Sequence, residues 1–186
     1  MKTGNPVYRN IHQELIESCR KRDIKAQFKI YRLYYKNMFN ISLRIVNDSL
    51  EAEDIMQECF LTAFEKIDGY SGEVSFGAWL KKIVINRSLD ALRKKKIEFT
   101  GIDEGSHLPD DEGADTDEEY TGQKVEEIHR CIRMLPDGYR VILSLYLLEG
   151  YDHEEIGEIL DISASTSRSQ YTRARRKLCT MLKSSN

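Results

Sequence analysis

Apolar residues recur along this chain at intervals of three and four, and nowhere in a sustained alternation of two. The sequence therefore predicts helices and no sheet. One helix is expected from Lys25 to Val46, rich in aromatics (Phe28, Tyr31, Tyr34, Tyr35 and Phe39). The next opens at Asp48 or Ser49, where Asp48 and Glu51 have capping-box spacing. Its apolar stripe is Ile55, Met56, Cys59, Phe60, Ala63, Phe64 and Ile67. The opposite side shows Glu53, Asp54, Gln57, Glu58, Leu61 and Glu65. A Gly-rich loop from Asp68 to Ser75 follows, and Ser75 is placed to cap a helix from Phe76 to about Lys95.

A second group of helices begins near Val125. Its first helix is expected to end at Leu135, because Pro136 restricts the residue before it. Another carries Val141, Ile142, Leu145, Tyr146 and Leu148, with Gly150 suited to its C-terminal cap. Asp152 and Glu155 have capping-box spacing for a short helix from His153 to Leu160. After a turn at Asp161-Ile162-Ser163, the last helix runs from Ala164 to about Leu182. A short helix, a tight turn and a longer polar helix make a helix-turn-helix pattern. The expected fold is all-α, with two small helical domains, residues 11–96 and 125–182. Residues 97–124 read as an acidic flexible linker spanning on the order of 30 Å.

Charge changes the picture. The 186 residues carry a net charge of -3, which speaks against a nucleic-acid partner. Glu98 to Glu127, however, hold twelve acidic residues and one basic residue, Lys124. The rest of the chain holds 19 acidic and 27 basic residues, a surplus of +8. An acidic connector of few large apolar residues thus conceals a basic protein.

The positive surplus concentrates on two helices. From Ile162 to Asn186 there are six basic residues and no acid. On a helical wheel Tyr171, Ala174, Leu178 and Leu182 form one side, and Ser165, Thr166, Ser169, Arg173 and Arg176 the other. Small hydroxyls allow close approach to DNA, and arginines bind phosphate or the guanine edge. A solvated helix whose cations complement the helix dipole has the same pattern. From Val74 to Ile97 there are seven basic residues and one acid, Asp90. Here Tyr70, Phe76 and Trp79 sit beside Lys81, Lys82, Asn86 and Arg87, a mixture suited to stacking unpaired bases. Trp79, Leu80, Ile83 and Val84 fit a core equally well. The acidic face around Asp54 suits either solvent or a basic protein surface.

Other chemistry is excluded. No apolar run reaches about 18 residues, and the start MKTGNPVYRN has no signal core, so a cytoplasmic protein is expected. Cys19, Cys59, Cys131 and Cys179 form no CxxC pair, which leaves idle thiols rather than a zinc or redox site. No phosphate-binding glycine loop, nucleophile elbow or paired-histidine motif is present, so neither an enzyme nor a cofactor is expected.

Three stretches together resemble the extracytoplasmic-function sigma factors of bacterial RNA polymerase. Ala52-Glu-Asp-Ile-Met-Gln-Glu-Cys-Phe-Leu-Thr-Ala-Phe64 is similar to the family's polymerase-binding helix. Phe76-Gly-Ala-Trp-Leu-Lys-Lys-Ile, through Asn86, Asp90 and Arg93, is similar to its −10 helix. Leu135-Pro136 through Arg140, then Glu155-Ile156-Gly157 and Arg173-Ala174-Arg175 with Leu178, are similar to its −35 domain.

The resemblance implies that Asp54, Gln57, Glu58 and Phe60 dock on core polymerase. It implies −10 contacts from Tyr70, Ser71, Lys82, Asn86, Arg87, Arg93 and Lys94. It implies −35 contacts from Ser165, Thr166, Arg168, Ser169, Gln170, Arg173, Arg176 and Lys177. Its partners would be core RNA polymerase, promoter DNA and an anti-sigma factor, with a monomer or a 1:1 anti-sigma complex when free. The linker would thread the polymerase cleft. Ser165, Ser167, Gln170 and Tyr171 depart from the family's commoner residues. A dimeric helix-turn-helix regulator that binds palindromic DNA unaided is the rival reading.

Overall fold

The computed structural model describes residues 11–95 and 122–184, all of whose regular elements are helical. The predicted linker lies, apart from its last residues, outside the described residues. The chain divides into two compact units, Met1–Lys95 and Lys96–Asn186.

Unit one has helices α1 (Gln13–Arg20), α2 (Ile24–Val46), α3 (Ser49–Glu65) and α4 (Phe76–Lys94). Helix α1 has no counterpart in the sequence reading: it is eight residues long, with buried Ile16 and Cys19 too few to show a period. Asp23 caps α2 by accepting from the Lys25 and Ala26 amides, and Asn47 closes it in the left-handed conformation (φ 57°). Asp48 caps α3, accepting from Leu50 and Glu51 amides at 3.0 Å each. Glu51 does not complete the expected box; its carboxylate pairs with Lys95 instead. Ser75 accepts from the Ala78 amide at 3.1 Å and starts α4 as expected.

Helices α2, α3 and α4 pack on one another, and α1 lies on α2. The buried stripe of α3 includes Ile55, Met56 and Cys59, as the periodicity marks; α2 buries Ile30, Met38 and Ile41 rather than its aromatics, and α4 buries Leu80, Val84 and Leu89. Within this apolar interior, Ser88 Oγ donates to Ser42 Oγ at 3.0 Å, so α2 and α4 meet through paired hydroxyls.

Unit two has α5 (Gly122–Arg133), α6 (Asp137–Leu143), a π turn (Ser144–Leu148), α7 (His153–Leu160) and α8 (Ala164–Ser184). Cys131, Ile132, Leu135, Tyr139, Leu143, Ala174 and Leu178 form one buried cluster, joined by Ile128, Met181 and Leu182. Arg140, 1 % exposed, sits inside this unit. It pairs with Asp137, and its Nη1 donates to the Leu135 carbonyl at 3.3 Å.

The π turn breaks the helix expected through Leu148. The Glu149 amide donates to the carbonyl of Ser144, five residues back, at 3.1 Å. Leu145 stays buried, but Leu147 and Leu148 face out. Gly150 then takes φ 78°, the left-handed value that favours glycine. Asp152 and Glu155 form the full capping box, at 2.8 and 2.9 Å, and α7 has its predicted bounds.

Gly157, buried in α7, makes the turn possible. A Cβ there would lie 2.8 Å from the Ile162 carbonyl oxygen and 3.4 Å from the Ala164 nitrogen. The Ile162 amide donates to the Gly157 carbonyl at 3.0 Å, and Asp161 takes φ 59° to bring the chain round.

Candidate nucleic-acid interface

The last helix presents the clearest surface. Its buried residues are Ser167, Gln170, Ala174 and Leu178. Ser165, Arg168, Ser169, Arg173, Arg176 and Lys177 are exposed, and Thr166 is half-buried. Gln170 is therefore a correction: at 8 % exposed it lies on the stripe of Ser167 and Ala174 and cannot reach a base edge. The wheel centred the core on Tyr171, about one residue too far along. Tyr171 is half-buried beside that stripe, its ring 4.5 Å from Tyr146 and 5.6 Å from His153. Burial raises its pKa, against the opposing charge of Arg175. His153 stacks on Tyr146 at 4.6 Å and its Nδ1 lies 2.9 Å from Ser167 Oγ, which ties α7 to α8.

The hydroxyls near the start of α8 are already engaged. Ser163 caps the helix through the Thr166 amide at 3.0 Å and meets the Thr166 hydroxyl at 2.8 Å. Ser169 donates to the Ser165 carbonyl at 3.0 Å. The surface is also not free of acid, as α8 alone suggested: Glu154 reaches over from α7 to Arg168 at 3.1 Å. Arg173 and Lys177 form no ion pair among the described residues.

In unit one, Lys82, Asn86, Arg87, Arg93 and Lys94 lie exposed on α4, with Ser71 exposed in the loop before it. Tyr70 is a second correction. It is 3 % exposed, its ring 5.6 Å from Phe76 and 5.2 Å from Trp79, and its hydroxyl donates to the Val74 carbonyl. Arg20 donates to its carbonyl at 2.6 Å. Tyr70 thus shapes the loop from inside and has no face left for a base. Trp79, packed on Tyr70 and Phe76, is half-buried.

Helix α3 exposes Asp54, Gln57 and Glu58. Phe60 is the third correction: 2 % exposed, it meets Tyr31 at 4.9 Å and Phe64 at 6.0 Å, inside the bundle. Helix α3 also exposes apolar residues, Leu50 in its first turn and Leu61, 65 % exposed, beside Gln57 and Glu58. The sequence had placed Leu61 on that face without giving it a role.

The acidic and basic surfaces of unit one touch. Arg87 donates to Glu58 through Nε and Nη2, at 3.2 and 2.7 Å. Its hydrogen bond to Glu58, then that charge, holds the Arg87 proton above its ordinary pKa. Two turns away Glu51 meets Lys95. The antiparallel helices α3 and α4 are clasped at both places. Asp90 takes Arg93 at 3.5 Å.

No three His, Cys, Asp or Glu side chains gather into a metal site among the described residues. Burial pushes the Cys59 thiol up to about 12 and Cys19 to about 11, so both stay protonated and inert near neutral pH.

Residues 30–97 match Sigma-70 region 2, and residues 125–178 match Sigma-70, region 4. Over 172 residues the chain is 30% identical to the ECF RNA polymerase sigma factor SigW of Bacillus subtilis, covering 88% of this chain and 92% of that one. The chain belongs to the extracytoplasmic-function sigma factors. It is also 30% identical over 175 residues to the ECF RNA polymerase sigma-E factor of Haemophilus influenzae, covering 88% and 90% of the two chains. Two solved structures share the fold. CnrH, solved with the cytosolic domain of CnrY, aligns with TM-score 0.56 and 16% identity over 94% of this chain and 99% of that one. The sigma factor RpoE of Bartonella quintana, solved with the anti-sigma factor NepR, aligns with TM-score 0.58 and 22% identity over 86% and 98%. This sigma factor is therefore a promoter-recognising subunit of RNA polymerase. None of its described helices is long and apolar enough to cross a membrane.

Proposed function

We propose that this sigma factor divides promoter recognition between its two units. Residues 125–182 read the −35 element through α8. Residues 11–96 bind core polymerase through α3 and open the −10 element through α4 and the loop before it. The observation that carries this reading is the exposed surface of α8, where Arg176 stands opposite the buried stripe and Arg173 and Lys177 stand exposed to one side of it. Arginine forks suit guanine edges and phosphates in a major groove. The −35 set retains Ser165, Thr166, Arg168 and Ser169 beside them, without Gln170. The −10 set retains Ser71, Lys82, Asn86, Arg87, Arg93 and Lys94, without Tyr70. The polymerase set retains Asp54, Gln57 and Glu58, without Phe60.

Opening the −10 element by capturing unpaired bases needs no catalytic group, because binding offsets the lost stacking. The factor acts without enzymatic activity of its own, in the cytoplasm. An anti-sigma factor would hold it when idle, as the complexes of its two structural neighbours suggest.

The test is run-off transcription with purified core polymerase. Arg173→Ala with Arg176→Ala should lower −35-dependent transcripts ten- to a hundredfold, on the basis of about 1–3 kcal/mol per specific base contact. Polymerase affinity should be unchanged. Asp54→Ala with Gln57→Ala should do the reverse. The same defect from both pairs would overturn the division.

The clasp makes a further expectation. Glu58→Gln releases Arg87, so the full chain should bind a single-stranded −10 oligonucleotide about two- to fivefold tighter. That is the range of an exposed ion pair. The gain should vanish when Arg87→Ala is added; fluorescence anisotropy reads both.

A further inference from the structure

Helix α2 holds five cations, Lys25, Lys29, Arg32, Lys36 and Arg44, and no acid. At 100° per residue the first four fall within an arc of roughly 60°. All four are exposed. None forms an ion pair with a described residue, whereas Arg87 and Arg93 of α4, and Lys95 just after it, each meet a carboxylate. Four cations on one side of a helix, with no acid on that helix, thus form an uncompensated positive stripe among the described residues. Phe28 flanks it, 60 % exposed, with the Arg32 guanidinium carbon 6.0 Å from its ring centre.

Like charges three and four residues apart on one helix repel each other. A solvated helix relieves this by mixing signs, which α2 does not do. The pattern also differs from a protein-docking surface. Lysine is depleted at protein interfaces, and such surfaces are built round an apolar centre. Here three of the four charges are lysines and they occupy the centre of the stripe. From Lys25 to Lys36 the helix advances about 16 Å. That equals about five phosphates of one strand at 3.4 Å each along a duplex axis.

We propose that this stripe is an additional phosphate-binding surface, along which the backbone of duplex promoter DNA lies. Because α2, α3 and α4 pack on one another, the outward side of α2 is not that of α4. The stripe therefore holds DNA at a place other than the −10 surface and adds to the three surfaces proposed above. It depends only on the chain being a sigma factor that meets promoter DNA. Lysine ammonium groups grip phosphates without reading bases, so the contribution is independent of sequence.

The test compares wild type with Lys25→Gln/Lys29→Gln/Arg32→Gln/Lys36→Gln, four surface changes whose folding circular dichroism verifies. Each protein is assembled with core polymerase at saturating concentration. Its affinity for a labelled promoter duplex is then measured from 50 to 200 mM KCl. Each phosphate contact contributes about 0.9 to the slope of log affinity against log salt. The variant's slope should be shallower by about three. Its affinity should change over this range by about a hundredfold less than wild type.

The loss should be equal on a duplex with a scrambled −35 element, which separates it from any defect of α8. Lys25→Arg/Lys29→Arg/Lys36→Arg should keep the wild-type slope. An unchanged slope in the glutamine variant overturns the proposal. So does a loss confined to core polymerase binding, with normal DNA affinity once the holoenzyme forms; that result would make the stripe a protein contact.

Discussion

A chain carrying Gly157→Val should have a strongly destabilised helix-turn-helix while its first unit stays intact. The three atoms nearest the missing Cβ of Gly157 all belong to the backbone of the turn: Ile162 oxygen at 2.8 Å, Ala164 nitrogen at 3.4 Å and Ser163 carbonyl carbon at 3.7 Å. No side chain can swing aside, and valine adds two methyl groups beyond the clash. Overpacking of this kind costs about 3 kcal/mol at its upper end. A small domain has only about 5–15 kcal/mol in total. The melting point of unit two should fall by roughly 12–20 °C. Hydrogen exchange on the full chain reads the effect by region. Amides of α7 and α8 should lose protection while those of α2–α4 keep theirs. Equal protection in both proteins would mean that α7 and the turn do not meet as described.

The second large effect turns on a buried charge. Asp137→Ala should destabilise unit two by about 3 kcal/mol, because it strands the Arg140 guanidinium with its main acidic partner gone. Arg140→Met should cost less, about 1 kcal/mol. It removes the charge, fills similar volume and leaves Asp137, which is partly exposed, to water. Adding Arg140→Met to Asp137→Ala should recover part of the loss. Urea unfolding of the three variants gives the ranking. The reverse order would show that the guanidinium's stem packing and its bond to the Leu135 carbonyl outweigh its charge.

How much of this was legible in the residues depended on the range of the signal. Capping is local: Asp152 and Glu155 announce α7, and Ser75 and Asp48 announce α4 and α3, because each satisfies amides within three residues of itself. Long apolar periods announced α2, α3, α4 and α8. What the residues did not show was which of the side chains that the resemblance puts in contacts lie inside. The periodicity had already set Phe60 in the buried stripe of α3, and neighbours distant in sequence enclose Tyr70 and Gln170. Tyr31 covers Phe60, Phe76 and Trp79 enclose Tyr70, and the packing of α8 takes in Gln170. The partnership of Glu58 with Arg87 joins residues 29 apart and leaves no local pattern. The cations of α2 are visible in the sequence, but that they share one exposed side follows only from the helix and its packing.

The π turn at Ser144–Leu148 has a consequence for how this unit tolerates changes of length. Such a turn is in effect an α-helix carrying one surplus residue. Removing Leu147 would let the helix regularise, and nothing apolar would leave the interior. Yet everything downstream would rotate by about 100° and retreat by about 1.5 Å. The stacking of His153 and Tyr171 on Tyr146 depends on that angle. The surplus residue thus acts as a phase setting: it fixes the angle at which α8 meets α5 and α6, and a one-residue deletion would set that angle against the cluster that Ala174 and Leu178 share with Cys131, Leu135 and Leu143.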